Sequence, residues 1–326
     1  MKYKTIINSD ILIAAEHLKN HEIVAIPTET VYGLAANALS IDAVNKIYKV
    51  KNRPKENPLI IHIYSIDQLN EIVTEFPLKA KKLADKFWPG PLTMIFKKND
   101  LISDQVTAGK QSVAIRIPNH RITLELLKLC AFPIAAPSAN PFKYISPTKP
   151  EHVLKQLSGK IPYILDGGKC DKGIESTIIS FVNKKPELLR LGSFTKSMIE
   201  EVIGKIEVRN KSENTYDAPG MMSQHYSPKH KMILTENISE ELKKYSDLKI
   251  GVLTFNSEVI NSGNILIDLK LSEKGDLIDA AHNLYDALHQ IDEKEIDLII
   301  AEKLPDHGIG ISINDRLTRA STQNED

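Results

Sequence analysis

Lys51-Asn52-Arg53-Pro54-Lys55-Glu56-Asn57-Pro58 runs directly into Leu59-Ile60-Ile61-His62-Ile63. A cationic turn ruled by two prolines therefore meets an apolar run of the kind that forms a buried strand. Proline fixes its own φ and turns the preceding residue away from helix, so Arg53 and Asn57 are held in defined turn geometry. Rigid turns at strand ends are where a scaffold presents functional side chains. Lys51, Arg53 and Lys55 would then clamp something strongly anionic, such as a polyphosphate; the plainer alternative is a solvated charged turn.

Working outward, Ile41 to Val50 is an amphipathic helix leading into the turn, and Glu22 to Pro27 is a short strand followed by Thr28-Glu29-Thr30-Val31-Tyr32-Gly33-Leu34. Asp10 caps a helix to Lys19. On the far side, helices are expected over Ile66 to Glu75 and Leu78 to Phe87, then a strand from Leu92 to Phe96 after Trp88-Pro89-Gly90-Pro91. Ser112 to Ile117 alternates, with Val113, Ile115 and Ile117 on one face and Ala114 and Arg116 on the other. Helix from Thr123, strand from Ile134, helix from His152 and strands at Tyr163, Thr177 and Leu188 continue the pattern. Residues 209–229 lack periodicity and read as a linker or a functional loop. Beyond them strand and helix alternate again, with Leu277, Ala281, Leu284, Leu288 and Ile291 as the core face of a long helix. The chain is therefore α/β in two domains, 1–208 and 230–326, the second small and Rossmann-like.

The totals exclude several classes. Lys+Arg and Asp+Glu are equal at 42 each, so no global basic field draws in nucleic acid. The two cysteines, Cys130 and Cys170, lack ligand spacing and read as free thiols. No apolar run is long enough for a signal or a span, which points to a cytoplasmic protein away from membranes. There is no P-loop, no dinucleotide glycine fingerprint and no activated-serine motif; Gly308-Ile309-Gly310 lacks the third glycine. His225 and His230 lie on a loop without partners for a metal, and the metal ligands stay unknown.

Polar residues recur instead where apolar strands end: Thr28-Glu29-Thr30, Lys51 to Asn57, Ser138-Ala139-Asn140, Asp166-Gly167-Gly168 and Glu175-Ser176. Strand ends of α/β sheets form ligand crevices. His62 and Arg116 lie within strands. A buried arginine needs an anion, supplied by a ligand or by an internal carboxylate such as Glu29 or Asp166. Taken alone, His62 reads more readily as a hydrogen-bonded core histidine than as a ligand group, and Ser138-Ala139-Asn140 more readily as a simple turn.

These motifs together resemble the threonylcarbamoyl-AMP synthases, in the long form that adds a C-terminal domain to a YrdC-like catalytic domain. The resemblance is carried by residues 27–34, 51–62, Trp88-Pro89-Gly90-Pro91-Leu92-Thr93, Ser112 to Pro118, Ala136 to Asn140, Glu175-Ser176-Thr177-Ile178 and Leu189-Arg190-Leu191-Gly192. Ala218-Pro219-Gly220-Met221, His225-Tyr226-Ser227-Pro228 and Asn314-Asp315-Arg316-Leu317 carry it through the long form. Departures fall at Ala35, at Phe142-Lys143 and at Met222-Ser223-Gln224. The resemblance implies a twisted, mostly parallel sheet with a concave active-site face. It implies that L-threonine, bicarbonate (or CO2) and ATP give threonylcarbamoyl-AMP and pyrophosphate, with Mg2+ accompanying ATP, for a tRNA modification beside the anticodon. Lys51 and Arg53 would be catalytic. Together with Asn57, Ser112, Ser138, Asn140, Ser146, Arg190 and Tyr226 they would hold ATP. Thr30, His62, Arg116, Ala136 and Ser176 would hold threonine. Residues 209–229 would act as a lid carrying Tyr226, and partners would be the downstream threonylcarbamoyl-transfer proteins, with a weak tRNA contact. The alternatives are a YrdC-type RNA-binding module without turnover, disfavoured by the balanced charge, and a carbamoyl-transfer relative of hydrogenase maturation factors, whose zinc-finger cysteines two thiols cannot supply.

Overall fold

The computed structural model describes residues 3–209, 224–259 and 263–322, and the chain divides into two units. The first takes residues up to Phe142, then Pro147–Asp171 and the chain from Glu175 to 209. The second takes Lys143–Ser146, Lys172–Ile174 and the chain from 224 onward. In sequence those two short segments lie within the expected domain 1–208.

The first unit runs β1 (Ile6–Asn8), α1 (Ile11–Lys19), β2 (Val24–Ile26), β3 (Gly33–Asn37), α2 (Ile41–Lys51), β4 (Ile60–His62), α3 (Ile66–Asn70) and α4 (Leu78–Phe87). It continues with β5 (Leu92–Lys97), α5 (Asp104–Thr107), β6 (Ser112–Arg116), α6 (Arg121–Cys130), β7 (Ile134–Ala135) and α7 (Pro150–Leu157). β8 (Tyr163–Leu165), β9 (Thr177–Ser180), β10 (Glu187–Arg190), α8 (Lys196–Ile203) and β11 (Glu207–Val208) complete it. Caps set the helix starts: Asp10 accepts the Leu12 and Ile13 amides, and Ser40 accepts that of Ala43. α2 ends on Asn52 in the left-handed region, which turns the chain into Arg53-Pro54.

The strands form one sheet in the order β1-β8-β2-β3-β7-β4-β6-β5-β9-β10-β11. Parallel pairs (β1–β8, β8–β2, β4–β6, β5–β9, β10–β11) are joined by antiparallel steps, several of them made by β3 and β7. The sequence reading assigns no strand over β3, where Gly33-Leu34-Ala35-Ala36 lacks β-branched residues. Its place between β2 and β7 overrides that weak propensity. The expected helix Ile66 to Glu75 stops at Asn70; the Ile72 and Val73 amides turn back onto the Leu69 carbonyl, and Val73 bridges to Lys98.

One sheet face buries Leu34, Ile61, Met94, Ile115 and Ile179 against Val44, Ile47 and Leu83 of the helices. A fully buried side chain of this size stabilises by about 1.5–3 kcal/mol. The opposite face carries a smaller apolar cluster of Ile60, Ala114, Ile95, Ile178 and Leu189.

The second unit contains β12 (Lys231–Thr235), α9 (Ile238–Lys244), β13 (Ile250–Thr254), β14 (Ile265–Lys270), α10 (Leu277–Asp292), β15 (Leu298–Glu302) and α11 (Gly310–Ser321). Its strands lie in the order β12-β15-β13-β14 and all pair in parallel, as a Rossmann-like unit requires. Ala281, Leu284, Leu288 and Ile291 of α10 are buried, as their spacing predicted, while Leu277 in its first turn is only half-buried. No helix among the described residues is long and apolar enough to cross a membrane.

Candidate active site

Arg53 follows the α2 turn and folds back over its own loop. Its Nε donates to the Asn57 carbonyl at 3.1 Å, and its Nη2 donates to Asn57 Oδ1 at 2.5 Å and to the Pro58 carbonyl at 2.8 Å. An arginine only donates, so Asn57 must turn its oxygen inward and offer its Nδ2 elsewhere. That nitrogen is buried and has no hydrogen-bond partner. The Phe142 ring lies 5.9 Å from the Arg53 guanidinium carbon.

Lys51, fully inside at the end of α2, donates from Nζ to the Ser138 carbonyl at 2.5 Å and to the Asn140 carbonyl. Its own carbonyl accepts the Phe142 amide at 2.8 Å. Lys51 thus fastens the Pro137 to Pro141 loop to the opening turn. Burial, and then the charge of Arg53, push its ammonium well below the usual lysine range. Arg53 is lowered to about 10 by burial, with neighbouring Arg190 adding to the fall. The hydrogen bonds of both Lys51 and Arg53 go to uncharged oxygens, and neither has a carboxylate partner among the described residues.

Arg116 closes β6 beside His62 of β4, its partner in the parallel register. Its Nε donates to the Gly90 carbonyl at 3.2 Å, its Nη1 donates to Thr30 Oγ1 at 2.9 Å, and its Nη2 meets Glu29 Oε2 at 2.6 Å. Gly90 is required by close approach, since a Cβ there would stand 2.2 Å from the Phe87 carbonyl oxygen. Of the two carboxylates weighed for Arg116, Glu29 is the partner; it also accepts the Asn119 amide at 3.0 Å. His62 is driven down to about 3 by burial and by the charge of Arg116, so it stays neutral, and its Nδ1 is buried without a hydrogen-bond partner.

Arg190 ends β10 and donates from Nε to the Ser176 carbonyl and from Nη2 to Ser176 Oγ, both at 3.0 Å. Thr93 Oγ1 shares a 2.7 Å hydrogen bond with Ser176 Oγ. The Ala136 amide donates to the Ile60 carbonyl at 2.9 Å, which sets the Pro137 to Asn140 loop against β4.

The sheet therefore gathers Thr30, His62, Arg116, Ser176 and Arg190 at one strand end, with Lys51, Arg53, Asn57, Ser138 and Asn140 on the turn and loop that Lys51 joins. Ser112 stands apart. It opens β6 beside Lys97, about 13 Å from Arg116 by strand rise. It shares a sheet face with Ala114 and Arg116, so the small apolar cluster lies between the two polar ends. Ser146 and Tyr226 belong to the second unit. Ser146 is buried with its carbonyl facing His289 Nε2 at 3.2 Å, and Tyr226 is buried with φ 65°. Thr93 and Phe142 are site members that the sequence reading left unassigned, whereas Glu29 was one of its two candidate partners for Arg116. His230 does have a partner, Asp292, at 3.1 Å. Among the described residues no group of three or more His, Cys, Asp or Glu is arranged to hold a metal ion. Most of the proposed lid, residues 210–223, lies outside the described residues.

A mixed α/β sheet flanked by two buried cations, Lys51 and Arg53, whose hydrogen bonds go to uncharged oxygens makes this an α/β protein with a cationic site suited to an anion. Comparisons agree: the family described as "Telomere recombination" matches residues 16–192, and "Threonylcarbamoyl-AMP synthase, C-terminal domain" matches residues 194–322. The threonylcarbamoyl-AMP synthase of Bacillus subtilis is 44% identical over 94% of this chain and 92% of its own length. That of Pyrococcus abyssi is 41% identical over 95% of this chain and 94% of its own. The crystal structure of P. abyssi Sua5 complexed with L-threonine superposes with a TM-score of 0.91 at 38% identity, covering 98% of both chains. The chain belongs to the threonylcarbamoyl-AMP synthase family, in its two-domain form.

Proposed function

We propose that the protein is an L-threonylcarbamoyladenylate synthase, a nucleotidyltransferase joining L-threonine, bicarbonate (or CO2) and ATP into threonylcarbamoyl-AMP with release of pyrophosphate. The observation that carries this reading is the burial of Lys51 and Arg53 against uncharged oxygens alone. Two buried cations held this way are costly without an anion, and a triphosphate repays that cost. ATP arrives as its Mg2+ complex, the ion belonging to the substrate.

Threonine's amine and CO2 give a carbamate, and the carbamate oxygen attacks the α-phosphorus as pyrophosphate leaves. Both reactants are anions, so the chain's task is to hold them together against repulsion. Lys51, Arg53, Asn57 Nδ2, Ser138, Asn140 and Arg190 take the phosphates and ribose, Lys51 also keeping their loop in place, and Ser112 lies at the adenine end of the apolar face. Ser146 and Tyr226 are assigned to the nucleotide from the family resemblance. Arg116 takes the threonine carboxylate, sharing its guanidinium with Glu29. Neutral His62 accepts from the substrate, and Thr30, Ser176 and the Ala136 backbone complete the amino-acid subsite. The product would serve tRNA threonylcarbamoyl-transfer proteins in the cytoplasm. The test is pyrophosphate release that requires threonine and bicarbonate together; release that ignores either one rejects the reading.

A further inference from the structure

α10 has a second buried stripe besides its apolar core face. Tyr285, His289 and Asp292 recur at helical spacing, and all three are buried. Each holds one part of a strap made of two chain segments, Lys143–Ser146 and the run from Gln224 to His230. Tyr285 stacks on Tyr226 at a ring distance of 5.7 Å. His289 Nε2 lies 3.2 Å from the Ser146 carbonyl. Asp292 accepts the Tyr144 hydroxyl, the Lys229 amide at 2.7 Å, the His230 amide at 3.3 Å and, at 3.1 Å, His230 Nδ1.

The two segments also bind each other. Tyr144 and Ser227 form a parallel bridge, the Ser227 amide donates to the Lys143 carbonyl at 2.8 Å, and Lys143 Nζ donates to Gln224 Oε1 at 2.8 Å. Tyr226, at φ 65°, is further covered by the Arg316 guanidinium 5.1 Å from its ring centre. A tyrosine in left-handed backbone persists only where its surroundings over-determine it, and here they do.

We infer that Tyr285, His289 and Asp292 are positioning residues: the α10 stripe holds Ser146 and Tyr226 in the arrangement that receives the nucleotide. This inference rests on the nucleotide assignment of those two residues. It predicts that these three residues act on ATP affinity rather than on threonine affinity. The carboxylate of Asp292 is the centre of the device, because one buried group satisfies donors from both segments.

The test uses the full chain with Asp292→Asn, and with Tyr144→Phe as the milder variant should the first fail to fold. Amide exchange over 143–146 and 227–230 is measured alongside calorimetric binding of Mg-ATP and of threonine. The expected result is faster exchange in both segments and ATP binding weakened about tenfold, with threonine binding within about twofold of the parent. Unchanged exchange, or equal weakening of ATP and threonine, overturns the inference. A parent protein that binds no ATP instead rejects the synthase reading itself, and the inference with it.

Discussion

Glu29 Oε2 lies 2.6 Å from Arg116 Nη2, both side chains buried, directly after β2 and at the end of β6. The site thus carries its own anion against the one arginine assigned to a substrate carboxylate. Glu29 meets the Arg116 charge from within the chain and fixes the orientation of its fork.

Removing that anion leaves a buried guanidinium uncompensated. Glu29→Ala is expected to lower unfolding free energy by about 3–5 kcal/mol, and Glu29→Gln by less, because the amide oxygen still accepts from Asn119 or Arg116. Urea titration at neutral pH checks this. A Glu29→Ala variant within about 1 kcal/mol of the parent would show that the pair does not hold the site together.

Arg116→Lys keeps the charge but loses the planar fork that meets Gly90, Thr30 and Glu29 at once. Threonine binding should weaken by about tenfold or more while ATP binding changes by less than about threefold. Calorimetry with each ligand separately decides it; parallel losses would contradict the division into two subsites.

His62 gives a pH signature. Its folded value of about 3 lies below the ordinary 6.5, so below pH 6.5 the unfolded chain binds the proton that the folded chain refuses. Stability should therefore fall on acidification between those values, with a slope from this residue approaching about 1.4 kcal/mol per pH unit. His62→Gln removes that contribution. The difference in unfolding free energy between parent and variant, followed from pH 7 to pH 4.5, should shift steadily in the variant's favour; a flat difference would count against a neutral buried imidazole.

For the opening turn, Arg53→Ala should abolish the thermal stabilisation that saturating Mg-ATP gives the parent, which at a hundredfold excess over Kd is about 2.7 kcal/mol. Lys51→Ala should go further and destabilise the free protein by about 2–4 kcal/mol, because the half-buried Ser138 carbonyl and the buried Asn140 carbonyl lose the Lys51 hydrogen bonds. Differential scanning with and without nucleotide separates the two. Equal behaviour of both variants without ligand would remove the distinction between phosphate holder and loop fastener.

Most elements were legible because the apolar period was strong. α4, with Ala80, Leu83, Ala84 and Phe87 inside, starts and ends where the pattern places it. β3 was not legible: its small residues say little locally, and its pairing with β2 and β7 is a property of the whole sheet. In the site, the need of Arg116 for an anion was readable from its position within a strand, but two carboxylates fitted equally and only packing chose Glu29. Phe142, Lys143 and Gln224 looked like departures from the family pattern. Phe142 instead covers the Arg53 guanidinium, and Lys143 bonds to Gln224, so two of the departures answer each other across 81 residues. The α10 stripe was hidden because its apolar face dominated the helix periodicity.

The reach of Tyr144 to Asp292 also sets an order in time. The two residues are 148 positions apart, and a ribosome adding about 5–20 residues per second delivers the second roughly 7–30 s after the first. During that interval the Lys143–Ser146 segment is already made while its acceptor is not. Until α10 emerges the nascent chain holds Tyr144 without its Asp292 acceptor, so the strap can be fastened only after Asp292 has been made.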